Sequence, residues 1–268
     1  EKESMNESTF LDVIEGRARW SFERCNCLAR LRDMPDACVD AVITDAPYSS
    51  GGFTRGDRMA VPSAKYEQSG QKLERVDFAG DNRDQRSFGY WCALWLAECL
   101  RIARPGSPIC LFTDWRQLPT TTDALQAGGW VWRGILPWDK TEGARPMRGR
   151  FTAQCEYVVW GSAGEMPFER EVGCLPGFVR AFPKPSEKRH LTGKTPTVML
   201  EVNKIVKPGG IILDPFAGAC SGGVAAQRAG YPWIGFEITE TNHAEGLAWM
   251  QEEERGAVPP IEGQGRLW

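Results

Sequence analysis

The chain has 268 residues, of which 42% are hydrophobic and 25% are charged, and its formal net charge is -3. These values are typical of a globular protein and allow one large domain. No apolar run approaches the roughly 18 residues of a membrane-spanning helix, and no signal peptide is visible. The overall charge does not favour nucleic-acid binding, so a nucleic-acid partner would require a local basic face.

The cysteines and histidines indicate a cellular compartment and argue against a metal site. Nine cysteines are scattered without a C-x-x-C pair, and the chain has two histidines. An odd, unpatterned set of cysteines is typical of reduced thiols in the cytoplasm. A metal site built from histidines is not expected. The sequence therefore predicts a cytoplasmic protein with no membrane segment and no metal.

The first half of the chain alternates predicted strands and helices. Residues 16–31 predict a short strand followed by a small helix, and Val39–Thr44 predicts a buried parallel strand that neighbours it. Residues 49–87 are polar and irregular, which predicts a mobile loop that contacts substrate. Further along, the patterns predict a helix at Phe88–Ile102, a strand at Pro108–Phe112, a helix at Trp115–Gln126, and an antiparallel strand pair at Trp130–Trp138 and Glu156–Trp160 near a sheet edge. The two tryptophans of the first of these helices are predicted to be core residues.

The second half of the chain repeats this alternation after another irregular stretch. A helix begins near Pro196, capped by Thr192 or Thr195, and ends at Gly209-Gly210. Strands are then predicted at Ile211–Leu213 and Trp233–Phe236, with a helix at Val224–Ala229 between them. The whole pattern predicts a single α/β domain over residues 1–268.

Two motifs follow predicted strands and mark a ligand site. Asp45-Ala46-Pro47-Tyr48 stands at the end of the first parallel strand, where open α/β sheets bind ligands. Asp214-Pro215-Phe216-Ala217-Gly218-Ala219-Cys220-Ser221 joins a strand to a helix through small residues that let a ligand approach the backbone. Glu237 ends the next strand, close to the offset at which an acid meets ribose hydroxyls in dinucleotide folds. This order suits a cofactor that carries a nucleoside.

Residues 139–189 are predicted to recognise DNA. Two basic segments lie here, with aromatic residues between their charges, and this mixture suits phosphate neutralisation and base stacking. A solvated loop with a few hydrophobic anchors is the alternative. The residues predicted to bind DNA are Arg145, Arg148, Arg150, Arg180, Lys184 and Lys188.

Together these motifs resemble those of the β class of S-adenosylmethionine-dependent DNA amino-methyltransferases. Asp45–Tyr48 resembles the D-P-P-Y motif, Asp214–Ser221 resembles D-P-F-x-G-S-G-T, Arg24–Leu28 resembles the G-D-C-L segment, and His190–Pro196 resembles H-P-T-Q-K-P. The catalytic motif precedes the cofactor motif, which is the permuted order of this class. The resemblance spans Arg24 to about Trp249. Ala46, Cys220 and Asn26 depart from the family residues, which are proline, glycine and aspartate.

The resemblance implies a fold and a set of functional residues. The fold is a Rossmann-like methyltransferase with a mixed, mostly parallel sheet, helices on both faces and inserted substrate-recognition loops. Asp45 and Ala46 would accept the hydrogens of the target amine, Pro47 would shape the pocket, and Tyr48 would stack on the flipped base. The residues implied to bind S-adenosylmethionine are Asn26, Cys27, Asp45, His190, Thr192, Lys194, Asp214, Phe216, Gly218, Ala219, Cys220, Ser221 and Glu237.

The implied reaction is methylation of the N6 amine of adenine in double-stranded DNA, because an aspartate in this motif is commoner among adenine enzymes. Cytosine-N4 methylation and an inactive DNA-binding relative are the alternatives. Relatives of this class often form homodimers, and some belong to restriction-modification systems. The recognition sequence, the oligomeric state and the presence of a restriction partner are left open.

Overall fold

A computed structural model describes residues 8–48, 83–141, 144, 146, 148–183 and 193–256. These residues form seven helices and eight strands. In chain order they are α1 (Phe10–Ile14), β1 (Trp20–Arg24), α2 (Cys27–Asp33), β2 (Ala41–Thr44), α3 (Gln85–Ile102), β3 (Pro108–Thr113), α4 (Leu118–Ala127), β4 (Val131–Asp139), β5 (Cys155–Ser162), β6 (Val179–Arg180), α5 (Pro196–Asn203), β7 (Ile212–Asp214), α6 (Ser221–Arg228), β8 (Trp233–Glu237) and α7 (Glu240–Arg255).

All eight strands belong to one sheet, in the order β1-β8-β7-β2-β3-β5-β4-β6. Within the described residues β5 alone runs antiparallel to its neighbours, so the predicted mixed, mostly parallel sheet is confirmed. The predicted antiparallel pairing of β4 with β5 is also confirmed. The expectation that β1 neighbours β2 is wrong. Strands β8 and β7 lie between them, since β8 pairs with β1 and β7 pairs with β2.

Helices cover both faces of the sheet, as predicted. The side chain of Val42 faces a core shared with α1–α4, whereas Ala41 and Ile43 face a second core shared with α5–α7. This alternation follows from the two-residue period of a strand. It explains why β2 is an uninterrupted apolar run with every residue buried.

Several helix boundaries in the structure differ from the predicted ones. Helix α3 begins at Gln85, because the Asp84 carboxylate caps it by accepting hydrogen bonds from the backbone N–H groups of Arg86 and Ser87. Most of the predicted loop at 49–87, from 49 to 82, lies outside the described residues. Helix α5 ends at Asn203, before the predicted glycines. Thr195 occupies its N-cap position, although its side chain makes no capping bond.

All nine cysteines lie in the described part of the chain, and each is a free thiol. Among the helices of the described residues, none is long and apolar enough to cross a membrane.

Candidate active site

The carboxyl ends of the parallel strands meet at one edge of the sheet, and a cavity of about 460 Å³ lies there. Loops after β1, β2, β3, β7 and β8 contribute to its wall. Because β5 is antiparallel, its first residues also reach this edge. The residues predicted for catalysis or cofactor binding that line the cavity are Asn26, Cys27, Asp45, Ala46, Pro47, Tyr48, Lys194, Asp214, Phe216, Gly218, Ala219, Ser221 and Glu237.

A buried lysine lies at the centre of the catalytic motif. The Nζ atom of Lys194, whose side chain is 4% exposed, is 3.0 Å from Asp45 Oδ2 and 3.1 Å from Glu156 Oε2. It also donates a 3.3 Å hydrogen bond to the Tyr48 hydroxyl oxygen. The contact with Tyr48 is a hydrogen bond, and the contacts with the two carboxylates are ion pairs. The assignment of Lys194 to cofactor binding stays a prediction, and in the structure its charge lies beside the Asp45 carboxylate.

The charges around Lys194 stabilise its protonated form. Burial acts to lower the pKa of Lys194, but the carboxylates of Asp45 and Glu156 hold it well above its ordinary value. Burial acts to raise the pKa of Glu156, yet the ammonium groups of Lys194 and Lys140 lower it to about 2. Lys140 Nζ lies 3.2 Å from Glu156 Oε1. Lys194 and Glu156 are therefore both ionised in the neutral range.

Asp214, the last residue of β7, fixes the turn of the second motif. Its Oδ1 atom accepts a 2.6 Å hydrogen bond from the Thr44 hydroxyl and a 3.1 Å bond from the backbone N–H of Phe216. These bonds join the ends of β2 and β7, which carry the two motifs. Burial raises the pKa of Asp214 to about 7, and the charges of Asp45 and Glu237 act in the same direction.

Glu237 fixes the other side of the same turn. Its Oε2 atom accepts a 3.0 Å hydrogen bond from the backbone N–H of Gly218, and Oε1 accepts a 2.7 Å bond from Thr239. The carboxylate keeps further lone pairs that face the cavity. Its predicted role with ribose hydroxyls stays a prediction.

Cys220 lies behind the cavity wall. It adopts a left-handed backbone conformation, with φ of 65°, at the N-cap of α6. Only glycine takes this conformation routinely, which gives a physical reason for the family glycine at this position. The Cys220 side chain is buried, and its sulfur lies so close to Gly246 that a Cβ there would be 2.9 Å from it. Its side chain thus packs in the core, and any contribution to cofactor binding comes from its backbone.

Two further groups of predicted cofactor residues have different outcomes. Asn26 caps α2, its Oδ1 atom accepting a 3.0 Å hydrogen bond from the backbone N–H of Leu28. One lone pair of that oxygen is left for the predicted contact with S-adenosylmethionine. Cys27 is buried beside it at the cavity wall. His190 and Thr192 lie outside the described residues.

Sequence reasoning missed several side chains of the cavity, among them Glu156 and Trp91. Glu156 was assigned only to a strand, although a polar residue at the start of an antiparallel strand is a signal that it reaches the ligand edge. Trp91 was assigned to the core together with Trp95. Trp95 is indeed 1% exposed, but Trp91 lines the cavity, with its ring centroid 5.3 Å from that of Phe216. The guanidinium of Arg83 lies 4.9 Å from the Trp91 ring centroid.

The predicted DNA-binding residues are only partly described. Arg148 and Arg150 are exposed, and Arg180, 70% exposed, lies 3.6 Å from the Asp139 carboxylate. Phe151 and Phe168 are fully exposed nearby in sequence. Arg145, Lys184 and Lys188 lie outside the described residues. Strands β5 and β6 both lie within the predicted recognition region at 139–189.

Comparison with known sequences shows the family. The family model described as DNA methylase, N6_N4_Mtase, matches residues 39–189, more than half of the chain. The chain therefore belongs to the N6/N4 DNA methylase family, as the motifs predicted. It is 25% identical to YubD of Escherichia coli strain K12, over 84% of this chain and 87% of that protein. It is 24% identical to the type II methyltransferase M.HinfI of Haemophilus influenzae, over 79% of this chain and 63% of that protein.

Solved structures show the same fold. The complex of M1.HpyAVI with SAM has a TM-score of 0.61 and 18% identity, and the match covers 89% of this chain and all of that one. The cytosine-N4-specific PvuII DNA methyltransferase has a TM-score of 0.62 and 14% identity, with 86% of each chain covered. The predicted Rossmann-like methyltransferase fold is confirmed.

Proposed function

We propose that this protein transfers a methyl group from S-adenosylmethionine to the N6 amine of adenine in double-stranded DNA. The observation that carries the proposal is the Asp45–Tyr48 turn at the end of β2, which opens into the same cavity as the Asp214–Ser221 turn. The Asp45–Tyr48 turn supplies acceptors for an amine. The small residues of the Asp214–Ser221 turn let a cofactor approach the backbone. Family membership supports DNA as the substrate.

The cavity suits S-adenosylmethionine, the methyl donor of these enzymes. Its volume of about 460 Å³ falls within the usual range for small-molecule sites. In its wall Trp91 and Phe216 offer aromatic surface for an adenine ring. Glu237 offers carboxylate lone pairs for ribose hydroxyls. When bound, the cofactor supplies an electrophilic sulfonium methyl group.

Asp45 and Ala46 activate the amine by holding it. The lone pair of an exocyclic amine is delocalised into its ring, which makes the amine a weak nucleophile. The Asp45 carboxylate and the Ala46 carbonyl accept the two amine hydrogens and favour a pyramidal nitrogen whose lone pair points at the methyl carbon. The cofactor would supply the methyl group and keep the electron pair of the broken bond on its sulfur. The Asp45 carboxylate, hydrogen-bonded to the amine, would take the proton that the methylated nitrogen gives up. Catalysis of this kind depends on positioning and electrostatics.

The target base must leave the duplex to reach this cavity. Tyr48 is placed to stack on the flipped base, since Lys194 fixes its hydroxyl and lies 5.3 Å from its ring centroid. The exposed arginines at 148, 150 and 180 are available for phosphates. A homodimer stays a prediction.

Nucleoside mass spectrometry tests the proposal. Purified protein is incubated with unmethylated DNA and S-adenosylmethionine, and the DNA is then digested. We expect N6-methyldeoxyadenosine. N4-methyldeoxycytidine would instead support the second candidate, which the likeness to a cytosine-N4-specific enzyme favours. No methylated nucleoside, despite measured cofactor binding, would refute both.

A further inference from the structure

Glu156 lines the cavity and has no role in the proposed transfer as described above. It is the second residue of β5 and pairs across the sheet with Trp138 of β4. Its side chain is 19% exposed. Each of its carboxylate oxygens contacts one ammonium: Oε2 is 3.1 Å from Lys194, and Oε1 is 3.2 Å from Lys140. A carboxylate held this way between two lysines has a fixed orientation.

Lys194 is shared between two carboxylates. It is almost completely buried, so its charge needs compensation within the protein. Asp45 and Glu156 lie at nearly equal distances from it, 3.0 Å and 3.1 Å. If Glu156 were neutral, Asp45 would be the remaining carboxylate in contact with the Lys194 ammonium. The ammonium would then move toward Asp45 and bind more strongly the oxygens that the substrate amine must reach.

We propose that Glu156 is a positioning residue for methyl transfer. By sharing Lys194 with Asp45, it keeps the Asp45 carboxylate in place and leaves it able to accept the amine hydrogens. Through the same lysine it fixes the hydroxyl of Tyr48, and therefore the ring on which the base would stack. Lys140 holds the opposite side of Glu156 and completes the chain of ion pairs. This inference rests on the proposed function, since it assigns Asp45 to the reacting amine.

The variant Glu156→Gln tests the role of charge, because glutamine has nearly the same shape as glutamate. Glu23→Gln is a matched control. The Glu23 side chain is 18% exposed on β1 and is 2.7 Å from Arg30, and it lies outside the cavity lining. Both substitutions remove one carboxylate charge from a partly buried ion pair on a strand, and only one of these pairs lies at the cavity.

We expect Glu156→Gln to lower kcat roughly 100-fold, the scale of a small misplacement of reacting groups. The KM for S-adenosylmethionine should stay within about twofold, because Glu156 is placed beside the amine and not beside the cofactor turn. In Glu23→Gln both constants should stay within about twofold. A kcat for Glu156→Gln within twofold of the wild type, or an equal loss in Glu23→Gln, would overturn the proposal.

A spectroscopic measurement separates this inference from the proposed function. The ¹⁵N signal of the Lys194 ammonium can be assigned by its absence in Lys194→Arg. We expect the chemical shift of this signal to change in Glu156→Gln and to stay the same in Glu23→Gln, with or without DNA. An unmoved signal in Glu156→Gln would overturn the ion-pair arrangement. If the signal moves but wild-type protein methylates no DNA, the proposed function fails while the ion pair stands.

Discussion

Replacing Asp214 with asparagine should change how the stability of the protein depends on pH. Asp214 is 2% exposed, and burial raises its pKa from 3.8 to about 7 in the folded state. Asparagine keeps the Oδ1 acceptor that binds the Thr44 hydroxyl and the Phe216 N–H, so the turn can keep both hydrogen bonds. The substitution therefore removes the ionisation and preserves the shape.

The sign and size follow from the two pKa values. Between pH 3.8 and about 7 the folded state binds more protons at Asp214 than the unfolded state, so wild-type stability falls as the pH rises through this range. About three pKa units at roughly 1.4 kcal/mol each give a penalty of about 4 kcal/mol above pH 7. The asparagine variant has no such penalty. The free energy of unfolding of Asp214→Asn, relative to that of the wild type, should therefore increase by about 4 kcal/mol between pH 4 and pH 8.5.

Urea unfolding at these two pH values measures the difference. Asp139→Asn is the control, because hydrogen bonds from Gln154 and Thr141 lower the pKa of Asp139. That carboxylate stabilises the fold above its unfolded pKa of 3.8, and this stabilisation is lost mainly below pH 4. Asp139→Asn should therefore leave the change in stability between pH 4 and pH 8.5 close to that of the wild type. If wild type and Asp214→Asn lose stability equally between pH 4 and pH 8.5, the argument from burial is wrong.

Three other substitutions test separate parts of the site. Lys194→Met should destabilise the protein by about 3–5 kcal/mol in urea unfolding at pH 7, because it removes the buried ammonium that Asp45 and Glu156 both contact. A loss below about 1 kcal/mol would contradict the buried ion pair. Cys220→Gly should be more stable than Cys220→Ala by about 1 kcal/mol in the same assay. Both substitutions remove the sulfur, but only glycine relieves the strain of the left-handed backbone conformation. The reverse order of stability would show that the backbone is not strained at this residue. Trp91→Ala should weaken S-adenosylmethionine binding about tenfold in calorimetry, because the ring and Phe216 form one aromatic wall of the cavity; unchanged affinity would place the cofactor adenine elsewhere.

The sequence was sufficient to predict the two motif turns. Each follows a short apolar strand, and both strands occur in the structure with every residue buried. Since the carboxyl ends of parallel strands share one edge of a sheet, the convergence of Asp45 with Asp214 could be predicted from strand direction alone. The strand order could not, because neighbours in sequence need not be neighbours in the sheet, and β7 and β8 insert between β1 and β2.

The partners of Lys194 could not be predicted because they depend on long-range packing. The motif containing Lys194 indicates a cofactor contact, whereas the structure directs the ammonium to Asp45 and Glu156, 149 and 38 residues earlier in the chain. Glu156 was missed because the prediction considered only residues that directly follow parallel strands. An antiparallel strand brings its beginning to the same edge.

Transfer of a labelled methyl group tests the central claim most directly. S-adenosylmethionine labelled in its methyl group is incubated with unmethylated DNA and either wild type or Asp45→Ala, and calorimetry follows cofactor binding to both proteins. The account predicts label in adenine N6 with the wild type. With the variant it predicts at least a roughly 100-fold slower transfer and a largely unchanged cofactor affinity. Turnover by Asp45→Ala close to that of the wild type would contradict the assignment of Asp45 to the reacting amine.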